Sequence, residues 1–361
     1  MYGFLNTYDM PYALGILCTS LIISMRSMRR KLFSTITIIS AGIFFGSLVL
    51  FSIPPSTHAA APATFITPFD KIPNFAQSPT IQSVQSGPWS SATTWSPARI
   101  PTASDIVLIT HTVTYDSTTG DVDTIGIDAG GTLRFSTTEN TSLKVANLQV
   151  MPQGMLEVGT EANPVPSNLT AEIIIKNKPL DTTNDGIGVF DPSQYGTSLL
   201  AIDGTVTMHG AMKSPTFVRL ASEPKVGDTT LLLSELVSGW KVGDELVLPD
   251  TRQLTSSELA PSTAQTAPDG TPLTSNTYRL TSQSEKVIIS SIVGTTVTIT
   301  TALQYNHKGA RNPDGQLDFL PHVGNLTRNI SIRSEDPSGI RGHTLFTRYT
   351  DADVRYVAFK N

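Results

Sequence analysis

Between residues 87 and 210, apolar and polar residues alternate in short runs that recur, each headed by a glycine. Ile125-x-Ile127 leads through Asp128-Ala129-Gly130 into Gly131-Thr132-Leu133-Arg134-Phe135. Leu148-x-Val150 leads into Gly154-Met155-Leu156-Glu157-Val158, and Leu200-x-Ile202 into Gly204-Thr205-Val206-Thr207-Met208. Gly131 and Gly154 stand 23 residues apart and Gly204 follows 50 later, a step that reads as two such periods. Short alternating strands at this spacing predict stacked β-coils, because one coil cannot bury its own apolar face. The expected fold is all-β, a right-handed parallel β-helix with a small inserted β-subdomain, preceded by an N-terminal hydrophobic helix. An antiparallel sandwich with Gly turns is the competing reading.

Alternation assigns a facing to each side chain. Leu133, Phe135, Leu156, Val158, Val206 and Met208 are expected inside; Thr132, Arg134, Met155, Glu157, Thr205, Thr207 and His209 are expected outside. With a 23-residue rung, Arg134 and Glu157 stand directly above one another as an exposed charge pair. Glycine at the head of each strand is expected to supply the positive φ of a tight corner.

The remaining chain divides by composition. Residues 1–61 read as an export signal or membrane anchor: Met28-Arg29-Arg30-Lys31 precedes the apolar run Leu32 to Ile53, and Ala59-Ala60-Ala61 offers a cleavage site. Uncleaved, residues 32–53 are long enough to hold the chain in a membrane. Residues 62–85 read as a polar linker, 86–210 as the coil domain, 211–325 as a β-rich insertion with a long polar loop, and 326–361 as resumed coils. Within the insertion, Val226-Gly227-Asp228 and Val242-Gly243-Asp244 look like a repeated turn, and Val287–Ile292 with Val297–Thr300 a hairpin. An Asp after Gly usually caps a turn. Calcium is the one cofactor considered at these turns, against the absence of a dense Asp-x-Asp loop. Trp89 and Trp95 read as a hydrophobic lid over the first coil, the alternative being a sugar-stacking platform.

Gly87-Pro88-Trp89-Ser90, Thr94-Trp95-Ser96 and Ile100-Pro101-Thr102-x-x-Asp105-x-Val107-x-Ile109 resemble the opening of the eight-glycine (G-eight) domain. Leu326-Thr327-Arg328-Asn329-Ile330-x-Ile332 and Gly342-His343-Thr344-x-Phe346 are similar to the β-helix that follows it in the hyaluronan-related group of that family. That group comprises the cell-migration-inducing hyaluronan-binding protein and transmembrane protein 2; bacterial surface proteins carry the domain as well. The resemblance implies a polysaccharide or glycoconjugate partner and, as one reading, depolymerising activity of the hyaluronidase sort, by glycosidase or lyase chemistry.

Charge and composition narrow this further. The formal net charge is −5, and Arg26, Arg29, Arg30 and Lys31 against Asp9 leave the body at −8. An acidic body argues against nucleic acid and against electrostatic membrane docking. Charged residues are only 15% of the chain, which suits a secreted or cell-surface β protein. The single cysteine, Cys18, lies in the export segment, so the mature chain has no disulfide. A prokaryotic envelope then fits better than the disulfide-rich exterior of animal cells.

No Ser-His-Asp order, phosphate loop or Cys/His metal spacing is present, so catalysis has only scattered polar candidates: His209, His307, Arg328, His343, Asp351 and Asp353. Asp351 and Asp353 lie two apart on one face, too close to flank a sugar from both sides. Two readings stand, a glycan-depolymerising enzyme and a non-catalytic module that binds or displays at polysaccharide. The second is preferred, because the chain stops where related chains continue and no carboxylate pair is identifiable.

Overall fold

The computed structural model describes residues 62–184, 189–253 and 282–360. The expected N-terminal helix, export signal and cleavage site, and most of the long polar loop, lie outside these residues. The described chain is all-β, with one short 3₁₀ turn at Ala92–Thr94.

Two parallel sheets carry the architecture. In one, Ile81–Ser83, Ile106–Ile109, Gly120–Ile127, Thr141–Val150, Ala171–Ile175, Ile330–Ser334 and Val357–Lys360 pair in succession. In the other, the order is Gly87–Pro88, Thr112–Tyr115, Thr132–Phe135, Met155–Val158, Thr205–His209 and Asp351–Arg355. The chain alternates between the sheets, so each circuit lays down one rung. Val113, Leu133, Leu156 and Val206 are aligned across four rungs and fully buried. The expected inward set, Phe135, Val158 and Met208 included, lies in this one core.

The 50-residue step is one rung, not two, since Met155 pairs directly with Thr205. The long strand Thr141–Val150 shows how. Its first half pairs with Ala171–Ile175 and its second with Ser198–Ala201, so the chain leaves the rung after Ile175 and rejoins the same rung at Ser198. The next rung breaks at the same corner, between Ile330–Ser334 and His343–Phe346.

The corner glycines also act differently from expectation. Positive φ belongs to the residue before each of them: Gly130 (78°), Gln153 (64°) and Asp203 (55°). A Cβ on Gly131 would sit 2.1 Å from the Ile109 carbonyl oxygen, and one on Gly154 2.2 Å from that of Ile127. These glycines let adjacent rungs approach. Gly154→Ala therefore costs about 1–3 kcal/mol, whereas Gln153→Gly is neutral or stabilising because it relieves the left-handed strain. Urea melts of both variants check this, and equal losses would contradict it.

Residues 62–85 are not a linker. Thr64–Ile66 and Lys71–Pro73 form an antiparallel pair, and Ile81–Ser83 joins the stack. Phe65, Ile72, Phe75 and Ala76 pack with Met151, Leu200 and Ile202 as a second, smaller core. Gln149, fully buried, clamps this arm by accepting from Phe75 N (3.1 Å) and donating to the Pro73 carbonyl (2.9 Å).

Between Thr205–His209 and Ile330–Ser334 the chain builds a separate six-stranded sheet: Phe217–Arg219, His322–Asn325, Glu245–Leu248, Glu285–Val293, Thr296–Ile299 and Thr230–Leu232. Trp240, Leu246, Val287, Ile289, Val297 and Val323 are among its core. The expected hairpin turns at Gly294. Two polar knots fix the root of this insertion. Asn329 donates to the carbonyls of Val165, Pro166 and Leu169 and accepts from Ala211 N. Lys213 and Asp244, both buried, pair at 2.6 Å, and Asn325 donates to the same carboxylate oxygen.

Candidate functional site

The outer face of the second sheet is a polar ladder. Thr114, Arg134, Glu157, Thr207 and Asp353 align in one column, a rung apart each. Arg134 Nε donates to Glu157 Oε1 at 2.6 Å and Nη2 to Oε2 at 3.3 Å, the exposed pair that the 23-residue spacing predicts. A double-mutant cycle on these two residues gives a coupling of about 0.2–1 kcal/mol, since water screens the pair. A coupling above about 2 kcal/mol would contradict the exposure assigned here.

The far end of this ladder gathers the densest charge on the face. His209 Nε2 lies 2.9 Å from Asp353 Oδ2. Arg355 grips both Asp353 oxygens, Nε at 2.8 Å and Nη2 at 3.1 Å, and its Nη1 donates to Glu161 at 3.0 Å. His209 keeps its outward phase yet is only 4% exposed. The segment after the preceding rung returns over the strand end, where Val165 N donates to the His209 carbonyl. Desolvation pushes the Asp353 carboxyl up, but the Arg355 hydrogen bonds, with the His209 ring close by, outweigh it and the net shift is downward. A glycosidase acid needs the reverse, a carboxyl held protonated near neutral pH.

The other candidates lie apart. Asp351 is exposed on the strand of Asp353, opposite Thr205. His343 stands opposite Ser198 and is half-buried; burial lowers its pKa against the pull of Asp191. Arg328 sits at the foot of the insertion, with Nη1 donating to the carbonyls of Asn325 and Thr327. Its pKa is lowered by burial, opposed by the charge of Asp244. His307 is buried inside the inserted sheet, Nδ1 3.0 Å from the Pro249 carbonyl and Nε2 3.0 Å from Glu285. Of the six, only His209 and Asp353 are brought together.

Arg355, which grips Asp353, and Glu161, which pairs with Arg355, went unnamed in the sequence. Arg355 could have been found, since it shares the outward phase of Asp353 two residues on. Glu161 lies in a connection without periodicity and gave no signal. Asp105, in the Ile-Pro-Thr-x-x-Asp segment, proves to be a structural anchor. It takes both Arg99 nitrogens at 2.6 and 2.7 Å and accepts from Thr102 N and Thr80 Oγ1. The Arg99 hydrogen bonds hold its carboxyl far below the usual range despite burial. Asp228 and Asp244 accept from the backbone N of Lys225 and Lys241, the turn-capping role expected of them.

Residues 94–221 match the model of the G8 domain family. Fibrocystin-L of Mus musculus is 27% identical over 256 residues, covering 69% of this chain and 5% of the relative. Fibrocystin of Mus musculus is 26% identical over 250 residues, covering 68% and 5%. Fibrocystin of Canis lupus familiaris is 30% identical over 163 residues, covering 44% and 4%. The chain thus spans about 5% of the length of the two Mus musculus relatives. Together the domain match and the fibrocystin likeness support the G8 family. Among solved structures, the tailspike gp61 of Pseudomonas phage phi297 covers 69% of this chain and 26% of its own, at 10% identity and a TM-score of 0.25.

Proposed function

We propose that the chain is an exported, cell-surface module whose parallel stack is a right-handed β-helix that binds polysaccharide without cleaving it. A right hand is supported by the connectivity: successive rungs of the two stacked sheets pair in parallel through crossovers, and such crossovers are right-handed in about 98% of cases. The fibrocystin likeness, the low charge density and the basic-then-apolar start support an extracellular setting. Mass spectrometry of the exported protein is expected to find a mature N-terminus between Ala60 and Pro62; retention of Leu32 would make it an anchor.

The observation that carries the non-catalytic reading is Asp353, held as a carboxylate by Arg355 and His209. The one candidate carboxylate that the fold brings to a candidate histidine is thereby kept ionised by Arg355, which argues against its serving as the protonated acid at a glycosidic oxygen. A rigid, polar face of aligned rungs suits a long, hydroxyl-rich chain instead. A glycan array probed with the full-length protein, with and without calcium, tests this. Retention of extended polysaccharides is expected, and a blank array would overturn the reading.

A further inference from the structure

The inserted sheet holds a cleft of about 500 Å³ that none of the expected site residues enters. Its walls carry Lys308, Arg311, Gln304, Asn306 and Tyr305 beside the apolar Val226 and the backbone of Gly309. That lining is unlike an apolar core gap. Amides offer a donor and an acceptor side by side, which matches neighbouring sugar hydroxyls. An aromatic ring gives a stacking surface, and guanidinium or ammonium groups suit a carboxylate or sulfate.

The lining is also held in place from below. Glu285, nearly buried, accepts from Gln304 N (2.7 Å) and Tyr305 N (2.9 Å), and its Oε1 lies 3.0 Å from His307 Nε2. His307, 1% exposed, reaches the Pro249 carbonyl with its other nitrogen. Buried groups thus fix the backbone of residues 304–307, while Gln304, Asn306 and Lys308 stay exposed. On the opposite wall, Gln253 and Arg311 exchange two hydrogen bonds, Arg311 N to Gln253 Oε1 and Gln253 Nε2 to the Arg311 carbonyl. Arg311 Nη2 is spent on Glu223 at 2.6 Å, but its buried Nη1 has no partner. Lys308, unlike Arg311, has no carboxylate partner among the described residues. The unpartnered, buried Arg311 Nη1 is the costly donor of this wall, since water does not reach it, while the exposed Lys308 ammonium adds an unpaired positive charge beside it.

We infer that this cleft binds an oligosaccharide segment bearing an acidic group, a carboxylate or a sulfate, with Lys308 and Arg311 reading the charge and the amides reading the hydroxyls. This rests on the polysaccharide-binding reading above and gives it a location away from the ladder of the stack.

Isothermal titration of the full chain with size-defined polygalacturonate, chondroitin sulfate, neutral dextran and single-stranded polynucleotide tests it. Lys308→Ala and the pair Gln304→Ala/Asn306→Ala alter exposed side chains, and unchanged melting temperatures certify that both variants fold. The expected result is binding of one or both acidic glycans, weakened about tenfold or more in each variant, with no binding of dextran. Preference between the two acidic polymers identifies the carboxylate or the sulfate as the group read. Undiminished binding in both variants would overturn the cleft while leaving polysaccharide binding intact. Equal affinity for dextran or for the polynucleotide would overturn the acidic-glycan class. Failure of every polysaccharide to bind would remove the underlying reading and the cleft with it.

Discussion

Asp244→Ala is expected to destabilise the protein by about 3–5 kcal/mol, the usual result of stripping one partner from a buried ion pair. One carboxylate oxygen receives Lys213 Nζ at 2.6 Å, Asn325 Nδ2 at 2.8 Å and Lys241 N at 2.9 Å. Lys213 and Asp244 side chains are 4% and 1% exposed, so water cannot replace what is lost. The remaining partner recorded for the ammonium is the Gly239 carbonyl. The knot joins the point where the insertion leaves the stack to its central strand and to the strand that leads back. The variant should therefore unfold at lower urea, with the inserted sheet losing protection in hydrogen exchange before the stack. Adding Lys213→Met should recover part of the loss, by removing the stranded charge. A single-variant loss below about 1 kcal/mol would place water at the pair and contradict its burial.

Trp89→Ala is expected to cost a similar amount, about 3–5 kcal/mol. Trp89 and Trp95 meet edge to face at 5.0 Å, Trp89 and Tyr115 at 5.2 Å, and Tyr115 and Phe135 at 4.8 Å. All four side chains are at most 1% exposed, and Trp95 Nε1 donates to the Trp89 carbonyl at 2.9 Å. This is a continuous aromatic column that closes the first rungs from within. A sugar-stacking platform would be exposed, and its loss would weaken binding while leaving stability alone. The buried column predicts the opposite for Trp89→Ala: lower stability, and unchanged glycan affinity at temperatures where the protein is folded.

Alternation was enough to read the inward faces of Leu133–Phe135, Leu156–Val158 and Val206–Met208, because strand periodicity is local. The Arg134–Glu157 pair was legible for the same reason, once two glycines gave the rung length. What periodicity cannot carry is the length of an excursion. The chain leaves a rung after Ile175 and rejoins the same one at Ser198, so the third glycine appeared a full period too far. Nor does it show contacts made across rungs. The glycines at 131 and 154 answer to carbonyls 22 and 27 residues earlier in the chain, and the apparent linker at 62–85 folds because Phe65 and Ile72 find Met151 and Leu200.

The candidate site was legible only in phase. His209 was assigned to the outside and Asp353 to one face with Asp351, and that much of their placement could be read. That they meet depends on a rung whose two halves are separated in sequence by the whole insertion. The cover over His209 and the bridge through Glu161 come from an irregular connection with no pattern to read. His307 carries the opposite lesson. A polar residue in a turn-like sequence looked like surface chemistry, yet it is buried as a strut against Glu285.

Binding without cleavage is the central claim, and size-exclusion chromatography of a defined acidic polysaccharide incubated with the full chain tests it most directly. The account predicts that the protein co-elutes with polymer whose length is unchanged after prolonged incubation, at acidic and neutral pH alike. Progressive shortening of the polymer, abolished by Asp353→Asn, would contradict it.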